Sequence, residues 1–211
     1  MKTKKKLWMI PAAIFAALTL IISGTVLLLL FADWGFARAV PFSEQLYRLV
    51  TIHTAQGWLG TQEGSSDHEK ILEIYNNHIP LAQGYAVTED DSWCAAFGSC
   101  VAIQRHITDI VPTECSCERQ IGLWQKAGRW EENDNHMPLP GDYIYFDWDA
   151  KPMPGDSTGW SDHVGIVVGT FGPLIKVIEG NKDDQVAYRI IARGDYRIRG
   201  FALPDYASKL P

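Results

Sequence analysis

Apolar positions along the chain change period twice. Leu7 to Ala32 is an uncharged, mostly apolar run of 26 residues, longer than the roughly 20 that cross a bilayer as a helix. Pro11 and Gly24 interrupt it, and both residue types are tolerated in membrane helices. From Ser43 the spacing becomes three and four: Leu46, Leu49, Val50 and Ile52 predict a helix with Ser43 as N-cap. Gly64-Ser65-Ser66-Asp67 reads as a loop capping a second helix that carries Ile71, Leu72, Ile74 and Tyr75 and stops near Asn76-Asn77. Asp90-Asp91-Ser92 is suited to start a third helix, largely buried through Ala95, Ala96, Phe97, Val101, Ala102 and Ile103. Residues 118–126 predict a shorter fourth. After Pro140 the period drops to two, with strand candidates at 143–148, 164–169, 174–179 and 186–191. Helices followed by an antiparallel sheet make an α+β fold, here preceded by one transmembrane helix.

Charge adds an orientation. Lys2, Lys4, Lys5 and Lys6 stand before the apolar run, which places them in the cytoplasm and everything after Asp33 outside. The expectation is an uncleaved signal-anchor. The alternative is cleavage near Ala39, where Ala37-Arg38-Ala39 offers small-x-small, but the run exceeds the roughly 7–15 residues of a signal core. The chain then divides into a basic tail (1–6), the anchor (7–32), a juxtamembrane linker and helix (33–53), one main domain (54–206) and a short tail (207–211). Without its four N-terminal lysines the chain has 15 basic and 25 acidic side chains, a net −10, which argues against a nucleic-acid partner.

The main domain carries a nucleophile, a base and groups able to orient that base. Cys94 falls in the first turn of the third helix, where unpaired amides favour thiolate. His163 opens a strand, beside a glycine that permits close approach, and suits a general base. Glu179 and Asn181 end the next strand and, being two apart, share a face. An odd hairpin loop would bring one of them opposite His163; an even loop would put them on the other face. Pro140-Gly141-Asp142 is architectural. Trp93 and Trp160 are candidates for contacting substrate. The other five histidines, His68 among them, are expected to face solvent. Asp147, Asp149 and Asp156 form an acidic loop without the twelve-residue calcium pattern. Cys100, Cys115 and Cys117 suggest structural thiols or at most one disulfide among the three, and Cys115-Ser116-Cys117 alternatively a metal or redox site; zinc spacings want more ligands nearby. No metal or cofactor is called for.

Trp93-Cys94-Ala95, Pro140-Gly141-Asp142-Tyr143-Ile144, Asp162-His163-Val164-Gly165-Ile166-Val167, Ile178-Glu179-Gly180-Asn181 and Gly200-Phe201-Ala202-Leu203-Pro204 occur in that order. Together they resemble the CHAP family, papain-like cysteine amidases and peptidases of bacterial cell-wall turnover, over about Thr54 to Tyr206. The resemblance implies a papain-like fold with Cys94 as nucleophile, His163 as base, and Glu179 and Asn181 completing the site. The implied partner is peptidoglycan, cut at the muramoyl–alanine amide or within the stem or bridge peptide through a thioester. Two other readings keep the fold: a catalytically silent wall-binding domain, and an amidase acting on a non-wall amide.

Overall fold

The computed structural model describes residues 40–152 and 157–210. Helices α1 (Phe42–Gln56), α2 (Ser66–Asn76), α3 (Cys94–Gln104) and α4 (Cys117–Lys126) come first. Strands β1 (Trp130–Glu131), β2 (Tyr143–Phe146), β3 (His163–Phe171), β4 (Leu174–Glu179), β5 (Ala187–Ala192) and β6 (Ile198–Ala202) follow. The six strands form one sheet in the order β1-β6-β2-β3-β4-β5, antiparallel throughout.

The expectation of a papain-like fold preceded by one transmembrane helix is corrected to an α+β fold of four helices and this sheet. Among the described residues no helix is long and apolar enough to cross a membrane. Helix α1 shows why: it has 15 residues, and its buried face carries Glu44 and Arg48, against the roughly 20 apolar residues a span requires. The span expected over 7–32 lies outside the described residues.

Helix α3 is the hub. Every residue from Cys94 to Ala102 is buried, as a helix apolar on all sides requires, and it packs against α1, α2 and β3. The main core joins it to Val164, Ile166, Val168 and Ile178. Alternation along the strands puts Val167, Val177, Phe146 and Phe201 into a second cluster on the opposite sheet face.

Helix α1 inverts the expected pattern. It starts at Phe42 after Pro41 with no side-chain cap, so Ser43 lies inside the helix. Leu46 is largely exposed, while Arg48 is buried and donates to Glu44 Oε1 (2.8 Å), Asp142 Oδ1 (2.7 Å) and the Pro140 carbonyl (3.1 Å). Its guanidinium also lies 4.6 Å from the Tyr206 ring centroid. The Pro140-Gly141-Asp142 turn supplies two of these acceptors, and the left-handed Gly141 (φ 89°) lets the turn form. The motif is architectural because it ties α1 to the sheet.

Other boundaries moved less. Ser65 caps α2 by accepting from the His68 amide. Asp91 does not cap α3; its Oδ2 accepts from Thr88 N, Thr88 Oγ1 and Tyr85 Oη. Strand β2 stops at Phe146, β3 extends to Phe171, and the short β1 pairs with β6, which includes Gly200-Phe201-Ala202 of the last motif.

Candidate active site

Cys94 is the first residue of α3, and it is brought to the open end of β3 by that helix's packing. Its Sγ lies 3.9 Å from the Asp162 carbonyl oxygen, beside His163, the first residue of β3. His163 Nε2 is 3.0 Å from Glu179 Oε2, which leaves Nδ1 for the thiol. Glu179 is completely buried. Its second oxygen accepts from Arg189 Nε at 2.6 Å, and the Arg189 guanidinium stands 4.3 Å from the Trp148 ring centroid. Trp148 in turn stacks on Phe146 at 4.7 Å. The carboxylate is thus held from both sides, and its orientation toward the imidazole is fixed.

Parity brings His163 and Glu179 together only through an irregularity. The β3–β4 turn is Gly172-Pro173, an even loop, and near it the pairs run Phe171↔Leu174, Thr170↔Ile175 and Gly169↔Lys176. Continued unbroken, that register would put His163 and Glu179 on opposite faces. A bulge between Val167 and Gly169 shifts it by one, giving Val167↔Val177 and Ile166↔Ile178, and the two side chains then share a face. Gly165 leaves room for the result: a Cβ there would stand 2.7 Å from Glu179 Cγ and 2.4 Å from Val177 Cγ1. At the end of β4, Gly180 approaches α3 so closely that a Cβ would meet Phe97 Cβ at 2.5 Å.

A third group reaches the nucleophile. Cys117, the first residue of α4, places its Sγ 3.7 Å from Cys94 Sγ. Two helix N-termini therefore converge on one pair of sulfurs, and each favours negative charge. The two sulfurs are within hydrogen-bonding distance, and either can donate. The Cys117 hydrogen bond is the largest influence on Cys94 and holds it well below the ordinary thiol range; His163 adds to this against the opposing effect of burial. The same hydrogen bond pushes the Cys117 thiol well up. For His163, burial favours the neutral ring, but Cys94 and Glu179 outweigh it and raise the imidazole to about 9. The resting pair is thiolate and imidazolium, ready to attack a carbonyl and protonate a leaving amine.

This pair sets the expected pH profile. Any reaction in which this pair protonates a leaving group should slow as pH rises through about 9, because the imidazolium proton is lost there. Glu179→Gln removes the carboxylate that supports that proton. It should lower turnover by about 10²-fold and move the basic limb to lower pH. A Gln variant with an unshifted limb would show that Glu179 does not act through the imidazole.

The remaining candidates are placed differently. Asn181 lies beyond the end of β4 in a left-handed conformation (φ 54°), so it does not continue the face of Glu179, and it takes no part in the His163 contact. Trp93 is fully buried; its Nε1 donates to Glu63 Oε2 at 2.9 Å and its ring packs against His68 and Phe97, leaving no face for a substrate. Trp160 is 72 % exposed, three residues before His163. His68 is buried rather than solvent-facing, and its Nδ1 accepts from the Gly64 amide. Asp147 is buried too, bonded by the Asp149 amide and by Ser157, whereas Asp156 lies outside the described residues. Cys115 and Cys117 do not converge: Cys115 Sγ contacts Glu114 and Gln83, while Cys117 turns to Cys94. The sequence does not place Arg189 or Trp148 at the site, and it offers Cys117 only within Cys115-Ser116-Cys117, as a structural, metal or redox thiol. The one available signal was that Cys117, like Cys94, sits at the start of a predicted helix.

No family model and no curated protein matches the chain. Among solved structures, one described as "The crystal structure of Ly7917" aligns with a TM-score of 0.33 and 15% identity, covering 53% of each chain. The chain thus spans about half the length of that structure, and a likeness this loose carries no argument about fold or function.

Proposed function

We propose that the protein is a cysteine hydrolase of the CHAP type that cleaves amide bonds in peptidoglycan outside the cytoplasm. The observation that supports this most is the line from Cys94 at a helix N-terminus, through His163, to the buried Glu179 at 3.0 Å from the ring. Cys94 thiolate attacks the substrate carbonyl, and the tetrahedral oxyanion meets amides of the first turn of α3, which have no partner within the helix. His163 passes its proton to the leaving amine, and the Cys94 thioester forms. The neutral imidazole then takes a proton from water, which attacks the thioester and restores the thiolate. Glu179 holds the ring and stabilises its cationic form, and Arg189 holds Glu179.

Peptidoglycan is the proposed substrate because Cys94, His163 and Glu179, each within a motif of the resemblance, meet in space at this site, and because the lysine-led apolar segment at the N-terminus points to export. The test is digestion of purified peptidoglycan by the full chain under reducing conditions, with soluble products resolved by mass spectrometry. New fragments are expected, and their masses distinguish cleavage at the muramoyl–alanine amide from cleavage within the peptide. Folded, reduced protein that releases nothing would sink the proposal.

A further inference from the structure

Cys117 stands against the nucleophile, its Sγ turned to Cys94 Sγ. The two sulfurs at 3.7 Å are at van der Waals contact, about 1.6 Å from the disulfide bond length. Both side chains are almost buried, Cys94 4 % and Cys117 6 % exposed. Neither other thiol competes for Cys94. Cys100 is fully buried, turned toward Gln104, and burial pushes its thiol up to about 12. Cys115 is occupied by Glu114.

We propose that Cys94 and Cys117 form a reactive dithiol site that a small peroxide closes to a disulfide, switching the hydrolase off until a thiol reductant reopens it. The inference rests on the proposed function only for the consequence; the dithiol chemistry stands on the geometry alone. Cys94 thiolate attacks a peroxide oxygen, the O–O bond breaks, hydroxide leaves, and Cys94 becomes a sulfenic acid. Cys117 sulfur then attacks the Cys94 sulfur, the S–O bond breaks, and the Cys117 proton leaves with the hydroxyl as water. Peroxide is the two-electron oxidant. Reduction by two equivalents of a small thiol, or one of a dithiol, returns both thiols and yields the reductant's disulfide.

Burial decides which oxidant fits. A sulfur so little exposed admits hydrogen peroxide more readily than a bulky disulfide. With Cys117 already in contact, ring closure is intramolecular and outruns a second peroxide, which protects the nucleophile from irreversible oxidation. Cys117 is thus a resolving thiol as well as a hydrogen-bond donor to the Cys94 thiolate.

The full chain is treated with stoichiometric hydrogen peroxide, then mapped by non-reducing peptide mass spectrometry and assayed on peptidoglycan before and after dithiothreitol. A 94–117 crosslink is expected, with activity reduced about tenfold or more and restored by dithiothreitol. In Cys117→Ser the same peroxide should drive Cys94 to sulfinic or sulfonic acid, with a loss that dithiothreitol does not reverse. A crosslink between other cysteines, or reversible loss in Cys117→Ser equal to wild type, overturns the proposal. Crosslink mapping of wild type needs no variant and no activity. If the crosslink forms and opens while reduced protein leaves peptidoglycan intact, the dithiol stands and the hydrolase reading fails.

Discussion

Cys94→Ala is expected to lower peptidoglycan turnover by on the order of 10⁴-fold or more while leaving the fold in place. Removing the sulfur removes the thiolate that the proposed mechanism uses to carry the acyl group, so the reaction loses its covalent route rather than one contribution to it. Alanine is tolerated because the site lies in a helix already lined by Ala95 and Ala96, and alanine is the best helix former. The readout is product release from purified peptidoglycan, with thermal melts of both proteins as the control for folding. Comparable products from wild type and variant would remove Cys94 from the role of nucleophile. A second signature accompanies the first. Without the thiolate, His163 loses a main support for its proton, so its titration should move down from about 9, readable by imidazole NMR.

Arg48→Ala is expected to cost about 3–5 kcal/mol, a large part of the roughly 5–15 kcal/mol that holds a domain folded. The guanidinium is buried against Glu44 and Asp142, themselves nearly inaccessible. Truncating it leaves two buried carboxylates without their cation, and the penalty is their desolvation more than the lost contacts. Urea unfolding of the full chain measures the effect. Arg48→Met is the informative partner: it keeps much of the volume and loses the charge, so it should fall close to Arg48→Ala if the unpaired carboxylates dominate. A change below about 1 kcal/mol in Arg48→Ala would mean that water reaches the ion pair and that α1 is held by its apolar contacts instead.

Both predictions begin from short motifs, yet only one motif displayed its chemistry in sequence. Cys94 was legible because a thiol just after a helix-starting cluster has one electrostatic consequence wherever the helix goes. Arg48 was not. The periodicity of Leu46, Leu49, Val50 and Ile52 pointed to an apolar buried face, and the structure instead buries Glu44, Arg48 and Thr51 alongside Ile52 and Ala55. A three-to-four spacing reports that a helix has faces. It does not report that a carboxylate waits 94 positions along the chain to neutralise the polar one.

Sequence alone determined the succession of elements, four helices and then an antiparallel sheet, because period and punctuation are local properties. It also determined the candidates Cys94, His163 and Glu179. What joined them was decided by tertiary structure. The even Gly172-Pro173 turn, taken alone, separates His163 from Glu179, and a one-residue bulge near Val168 reunites them; no local pattern announces a bulge. The same holds for Asn181, which reads as the next residue on a strand face until the backbone turns left-handed after Glu179. Cys117 and Arg189 join the site for the same reason. The sulfur arrives on a separate helix 23 positions away, and the guanidinium arrives on β5. A chain shows its residue types and their periods, but contacts across such separations exist only after helices and strands have packed, so the line from Cys117 to Arg189 is a property of the folded protein.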